Sequence, residues 1–153
     1  MIKIIDGDLF DSNANIIAHQ CNCMGKFNSG VAKQVREKYP RVFLSYKSLC
    51  DTYSNCPENL LGMCDIMQVE KDRYIANLFG QLGYGYDGKQ YTNLDALRKA
   101  MIELRDKTPK TQTIAFPYGL GSVRGGARFE DVYAIVEEIF EGYNVEFWRL
   151  DKG

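Results

Sequence analysis

Residues able to do chemistry are concentrated in a few short stretches of this chain. His19, the sole histidine among 153 residues, sits at the end of the run Ile16-Ile17-Ala18, three positions before Asn22. An unperturbed imidazole titrates at about 6.5, so His19 is a candidate general acid or base at neutral pH. The alternation His19-x-Cys21-x-Cys23 also puts three metal-ligand types on one strand face. Neighbouring positions on a strand face strain a tetrahedral ion, and no C-x-x-C pair exists, so buried apolar thiols are the favoured reading and no metal is expected.

Two glycine-bearing loops add anion-binding chemistry. Pro117 to Gly126 carries Gly119, Gly121, Gly125 and Gly126 and lies between a strand-like and a helix-like segment, an arrangement in which backbone N–H groups converge on a phosphate at a helix N-terminus. Its spacing is not the dinucleotide fingerprint, and no Walker motif occurs. Gly25 to Gly30 leads into a second helix, and two such loops on one sheet edge could clamp a diphosphate. Asp8 gives that edge an acceptor for an amino group or a ribose hydroxyl. Among the aromatic residues, Phe27 and the Tyr84/Tyr86 loop are the ones placed to meet a ligand.

The elements that must position these residues follow from periodicity. Ile2–Ile5 and Ile16–Ala18 are expected as buried strands. Helices follow over 31 to 39, stopped by Pro40, and over 41 to 51. Met63–Val69 and Tyr74–Leu78 flank a charged turn and predict a hairpin, with Gly80 to Gly88 an irregular loop. A helix capped near Asn93 runs through Leu94, Leu97, Met101 and Leu104. Thr113–Phe116, Phe129–Phe140 and Val145–Leu150 complete the pattern as strand, helix and strand. Alternation of this kind predicts a single-domain α/β/α sandwich over 1–153, with a mixed, largely parallel sheet and its ligand at the carboxyl ends of the strands.

Composition narrows the class. Apolar residues at 45% and charged residues at 25% are an ordinary globular mixture, which argues against disorder and coiled coil. Nineteen basic against 20 acidic residues leave a net charge of -1, so bulk electrostatics steer the chain neither to nucleic acid nor to anionic lipid. No window supplies the ~18 apolar residues of a membrane helix, and no signal-peptide core precedes Asp6. Five cysteines, an odd number, fit reduced thiols in the cytoplasm. Length and charge are compatible with a monomer.

Taken together, Ile5-Asp6-Gly7-Asp8-Leu9-Phe10, then Ile16 to Gly25 with its H-x-C-N-C pattern, then Ser29-Gly30-Val31-Ala32 and Leu60-Leu61-Gly62-Met63-Cys64, resemble the macro domains. The most similar branch is that of the ADP-ribose-1''-phosphate phosphatases. The resemblance implies the three-layer macro-domain sandwich and a site for ADP-ribose or ADP-ribose-1''-phosphate, with no cofactor. It implies that Asp8 accepts from the adenine amino group beside Leu9, and that Asn22 holds the distal ribose. Gly25, Phe27, Ser29, Gly30 and Val31 would wrap that ribose and one phosphate. Gly119, Leu120, Gly121, Ser122, Val123 and Arg124 would wrap the diphosphate, Trp148 or Leu150 would lie near the adenine, and His19 would be catalytic.

The chain departs from the related deacylating branch, which has a lysine where Gly80-Gln81 stand and an aspartate where Val123 to Ala127 stand. A covalent lysyl mechanism is therefore not expected. Asn28 and Ser29 also occupy positions where many relatives have glycines. Hydrolysis at the distal ribose C1'' is the leading expectation. The alternatives are a non-catalytic reader of ADP-ribosylated macromolecules, or a hydrolase that removes ADP-ribose from protein or nucleic acid.

Overall fold

Apolar β-branched runs pair into one six-stranded sheet in the computed structural model, which describes residues 1–28, 30–85, 87, 89–122 and 125–150. The strands are β1 (Ile2–Asp6), β2 (Ile16–Asn22), β3 (Cys64–Glu70), β4 (Arg73–Gln81), β5 (Thr113–Pro117) and β6 (Asn144–Arg149), and the helices α1 (Gly30–Lys38), α2 (Pro40–Thr52), α3 (Leu94–Asp106) and α4 (Phe129–Ile139). Sheet order is β1-β6-β5-β2-β4-β3, with every neighbouring pair parallel except β3 and β4. The expected mixed, largely parallel sandwich is what forms.

Crossover handedness explains the two helical layers. From β4 through α3 to β5, and on through α4 to β6, the chain steps one way along the sheet, so right-handed crossovers keep α3 and α4 on one face. The step from β1 to β2 runs the opposite way, and the connection carrying Leu9 packs on the other face together with α1 and α2. Each face has its own core. Leu97, Met101 and Leu104 of α3 meet Val132, Val136 and Ile139 of α4 over Ala18, Leu78 and Phe116. On the other side Val35, Val42, Tyr46 and Cys50 cover Ile17, Ile75, Phe79 and Ala115.

Three sequence expectations need correction. β1 is not a buried strand: it is an edge of the sheet, with Ile4 47% exposed, because only β6 pairs with it. β2 does not stop after Ala18 but continues to Asn22, which moves His19 to the middle of the strand. Gly80 and Gln81 belong to β4 and not to the loop, since Gln81 pairs with Asn22 across a register shift in β2.

Candidate functional site

The five mutually parallel strands all end at one edge of the sheet, and there a cleft of about 420 Å³ opens. Every one of those strand ends contributes to it: Asp8 after β1, Asn22, Lys26, Phe27, Gly30 and Val31 around the end of β2, Gln81 and Tyr84 around the end of β4, Pro117 to Gly121 around the end of β5, and Trp148 to Leu150 around the end of β6. This is the position at which open α/β sheets bind ligands. Of the residues predicted for the site, Asp8, Leu9, His19, Asn22, Phe27, Gly30, Val31, Gly119, Leu120 and Gly121 line the cleft. Gly25 and Ser122 stand back from its wall and serve the loops that form it. Ser29, Val123, Arg124 and Tyr86 lie outside the described residues.

Asp8 begins a turn of 3-10 helix, and its Oδ1 accepts from the Phe10 N–H at 2.9 Å. Gly7, with φ of +149°, precedes it because the Trp148 ring leaves no room for a side chain: a Cβ there would come within 2.9 Å of the indole. Trp148 thus forms one wall beside Asp8, with its Nε1 donating to Glu146 Oε1 at 2.8 Å.

Asn22 closes the loop after β2. Its Oδ1 accepts from Met24 N (2.9 Å), Lys26 N (3.4 Å) and the Tyr46 hydroxyl (2.8 Å), while its Nδ2 donates to Lys26 O at 2.9 Å. An amide nitrogen has two hydrogens, so one donor remains for a ligand while the oxygen is saturated from within. Gly30 starts α1 with φ of +61° and empty space where a Cβ would be, which opens the helix N-terminus to the cleft. In the loop after β5, the N–H groups of Leu120 and Ser122 are engaged by Pro117 O (3.0 Å) and Gly119 O (2.9 Å), which folds the segment into a tight turn about Gly121 at φ of +68°. Cations reach the cleft from Lys26 and Arg149; Arg149 is anchored by Asp6 Oδ1 at 2.8 Å.

His19 differs from its expected state. It is 2% exposed, packed edge-on against Phe27 at 5.4 Å between ring centres, and its Nε2 lies 2.7 Å from Asn77 Oδ1. An amide oxygen only accepts, so Nε2 carries the proton and Nδ1 the lone pair. Burial lowers the pKa to about 4, with the Asn77 contact pulling weakly the other way. The ring is therefore neutral at neutral pH and does not titrate there. Asp65, opposite Asn77 in the β3–β4 register, has its pKa raised by burial, and its Oδ2 has no partner.

Phe27 is 1% exposed and stacks on Tyr46 at 4.0 Å, so its ring belongs mainly to the core. Cys21 and Cys23 are buried thiols; burial pushes Cys23 up to about 12 and Cys21 well above its usual value, which leaves neither as a thiolate nucleophile. No group of three His, Cys, Asp or Glu among the described residues could hold a metal ion. Sequence reasoning missed Gln20, Gln81 and Arg149 as wall residues. Their one signal was position beside strand ends already singled out.

Comparison with known proteins places this architecture. No protein-family model matches the chain. Among solved structures it superposes on the macrodomain of Mycobacterium tuberculosis DarG with a TM-score of 0.81 at 21% identity, covering 99% of both chains. It also superposes on Thermosipho africanus DarTG, solved in complex with ADP-ribose, with a TM-score of 0.76 at 15% identity over 99% of this chain and 42% of that one. The fold is that of the macro domains. Within them its sequence is similar to proteins named ADP-ribose 1''-phosphate phosphatase. The one from Debaryomyces hansenii is 29% identical over 130 residues, 74% of this chain and 72% of that protein. The one from Saccharomyces cerevisiae is 32% identical over 108 residues, 67% of this chain and 59% of that protein. Against the Aspergillus oryzae protein of that name the match spans 30% of the relative's length.

Proposed function

We propose that this macro domain binds ADP-ribose derivatives in the cleft and hydrolyses the phosphomonoester of ADP-ribose 1''-phosphate. The observation that carries this reading is the convergence of two glycine loops and a helix N-terminus on one cleft, flanked by Lys26 and Arg149 and closed at one end by Asp8 and Trp148. That arrangement suits a ligand with an anionic middle and a flat, amine-bearing end. Relatives named for this phosphatase activity support the choice of substrate.

In this reading the adenine amino group donates to Asp8, the diphosphate lies between the loop after β5 and the start of α1, and the Asn22 amide donates to the distal ribose. Water attacks phosphorus and the C1'' oxygen leaves with a proton. With its lone pair on Nδ1, the neutral His19 takes one proton from the attacking water, and the imidazolium so formed gives that proton to the departing C1'' oxygen. Buried reduced thiols support a cytoplasmic location, and a monomer suffices for a site built within one chain.

The test is phosphate release from ADP-ribose 1''-phosphate by the wild type and by His19→Ala. A general base is typically worth ~10²–10⁴-fold, so the variant should turn over slower by about that factor while ADP-ribose still binds. Equal rates would remove His19 from the mechanism. The burial of His19 favours a second reading, a non-catalytic reader of ADP-ribosylated macromolecules. Binding of ADP-ribose without release of phosphate would establish it, unless ADP-ribose is freed from a modified protein or nucleic acid, which would mark a hydrolase of that class.

A further inference from the structure

Beneath the cleft the turn about Gly121 is tied to the sheet by polar contacts that the reading above leaves unused. Thr92, buried just ahead of α3, donates from Oγ1 to Gly121 O at 2.7 Å and accepts from Gln20 Nε2 at 2.8 Å. Gln20 Nε2 also donates to Gln81 Oε1 at 2.7 Å. The directions are forced: a carbonyl only accepts, so the one Thr92 proton goes to Gly121, and the hydroxyl lone pair must meet a donor. Tyr91 N and Thr92 N add bonds of 2.6 and 3.0 Å to Gly125 O.

Close approach marks the same contact. A Cβ on Gly125 would lie 1.9 Å from Thr92 Oγ1, and one on Gly80 would lie 2.4 Å from Gln20 Oε1. That oxygen is buried with no partner, so Gln20 keeps its donor end on Thr92 and Gln81 at the cost of an unpaired acceptor. The arrangement is specified by four residues from four segments, more than is needed to close a surface loop.

We propose that Thr92, aligned by Gln20, is a positioning residue for diphosphate recognition: with the Ala127 N–H, which donates to the same oxygen at 3.1 Å, it fixes the carbonyl of Gly121 away from the cleft and so sets which way the Gly119–Gly121 peptides face. This rests on the proposed ADP-ribose site. The effect is selective, because the turn meets only the phosphates while the nucleoside end is held by Asp8 and Trp148.

Calorimetric titration of Thr92→Val, Thr92→Ser and Gln20→Met with ADP-ribose and with adenosine tests it. Thr92→Val keeps the shape, leaves Gly121 O with the Ala127 N–H alone at 3.1 Å and takes away the partner of one of the two Gln20 Nε2 hydrogens, so ADP-ribose affinity should fall at least about five-fold more than adenosine affinity. Gln20→Met should show the same bias, and Thr92→Ser, which restores the hydroxyl, should bind like the wild type. Unchanged ADP-ribose binding in both Thr92→Val and Gln20→Met, or equal losses for both ligands, would overturn the proposal. A wild type that ignores ADP-ribose would instead overturn the functional reading beneath it.

Discussion

His19 illustrates how burial decides what a side chain can do. In the unfolded chain its ring takes a proton at about 6.5 and in the native protein at about 4, so between those values the unfolded state binds more protons. Its contribution to stability is therefore full above the unfolded value and is lost as pH falls toward the folded one, by roughly 3 kcal/mol in total. Urea titrations at pH 7 and pH 4.5 should show this slope, and His19→Gln should flatten it; an equal slope in the variant would contradict the assignment. For Asp65 the sign is opposite. Burial raises its pKa, so at neutral pH the charged native form is penalised, and Asp65→Asn should raise the Tm at pH 7. A lower Tm would mean that the carboxylate has a stabilising partner.

At the scale of elements, α3 carries the loop that meets the cleft, and its start is set by Asn93, whose side chain accepts from Ala96 N at 3.0 Å. Asn93→Ala should cost about 1 kcal/mol in equilibrium unfolding. Leu97→Ala, which empties a fully buried position beneath α4, should cost roughly 2–5 kcal/mol. This helix was legible in the sequence because its cap and its Leu94, Leu97, Met101, Leu104 stripe are local signals. The exposure of β1 was not, since it depends on strand order, which the crossovers decide. The burial of His19 was hidden for a similar reason: Phe27, from the loop after its strand, and Asn77, from the neighbouring strand, pack against it. That the loops after β2 and β5 reach the cleft could be read from their glycines and their place after strands. The internal use of Asn22 and the tie through Thr92 could not, because hydrogen-bond partners tens of residues away leave no spacing pattern.

For the molecule as a whole, one edge of one sheet gathers the ends of five strands, and a ligand laid along it would brace both helical layers against each other. Binding to the native state alone adds about 2.7 kcal/mol at a ligand concentration 100 times Kd, which for a chain of this size raises the Tm by roughly 5–11 °C. A thermal melt with ADP-ribose should show such a rise, and AMP, which lacks the distal ribose and one phosphate, should give less. The most direct measurement is calorimetric titration of the wild-type protein with ADP-ribose. A saturable one-to-one heat, weakened by Gly30→Val at the mouth of α1, is the predicted result; no heat, or binding indifferent to that substitution, would contradict the account.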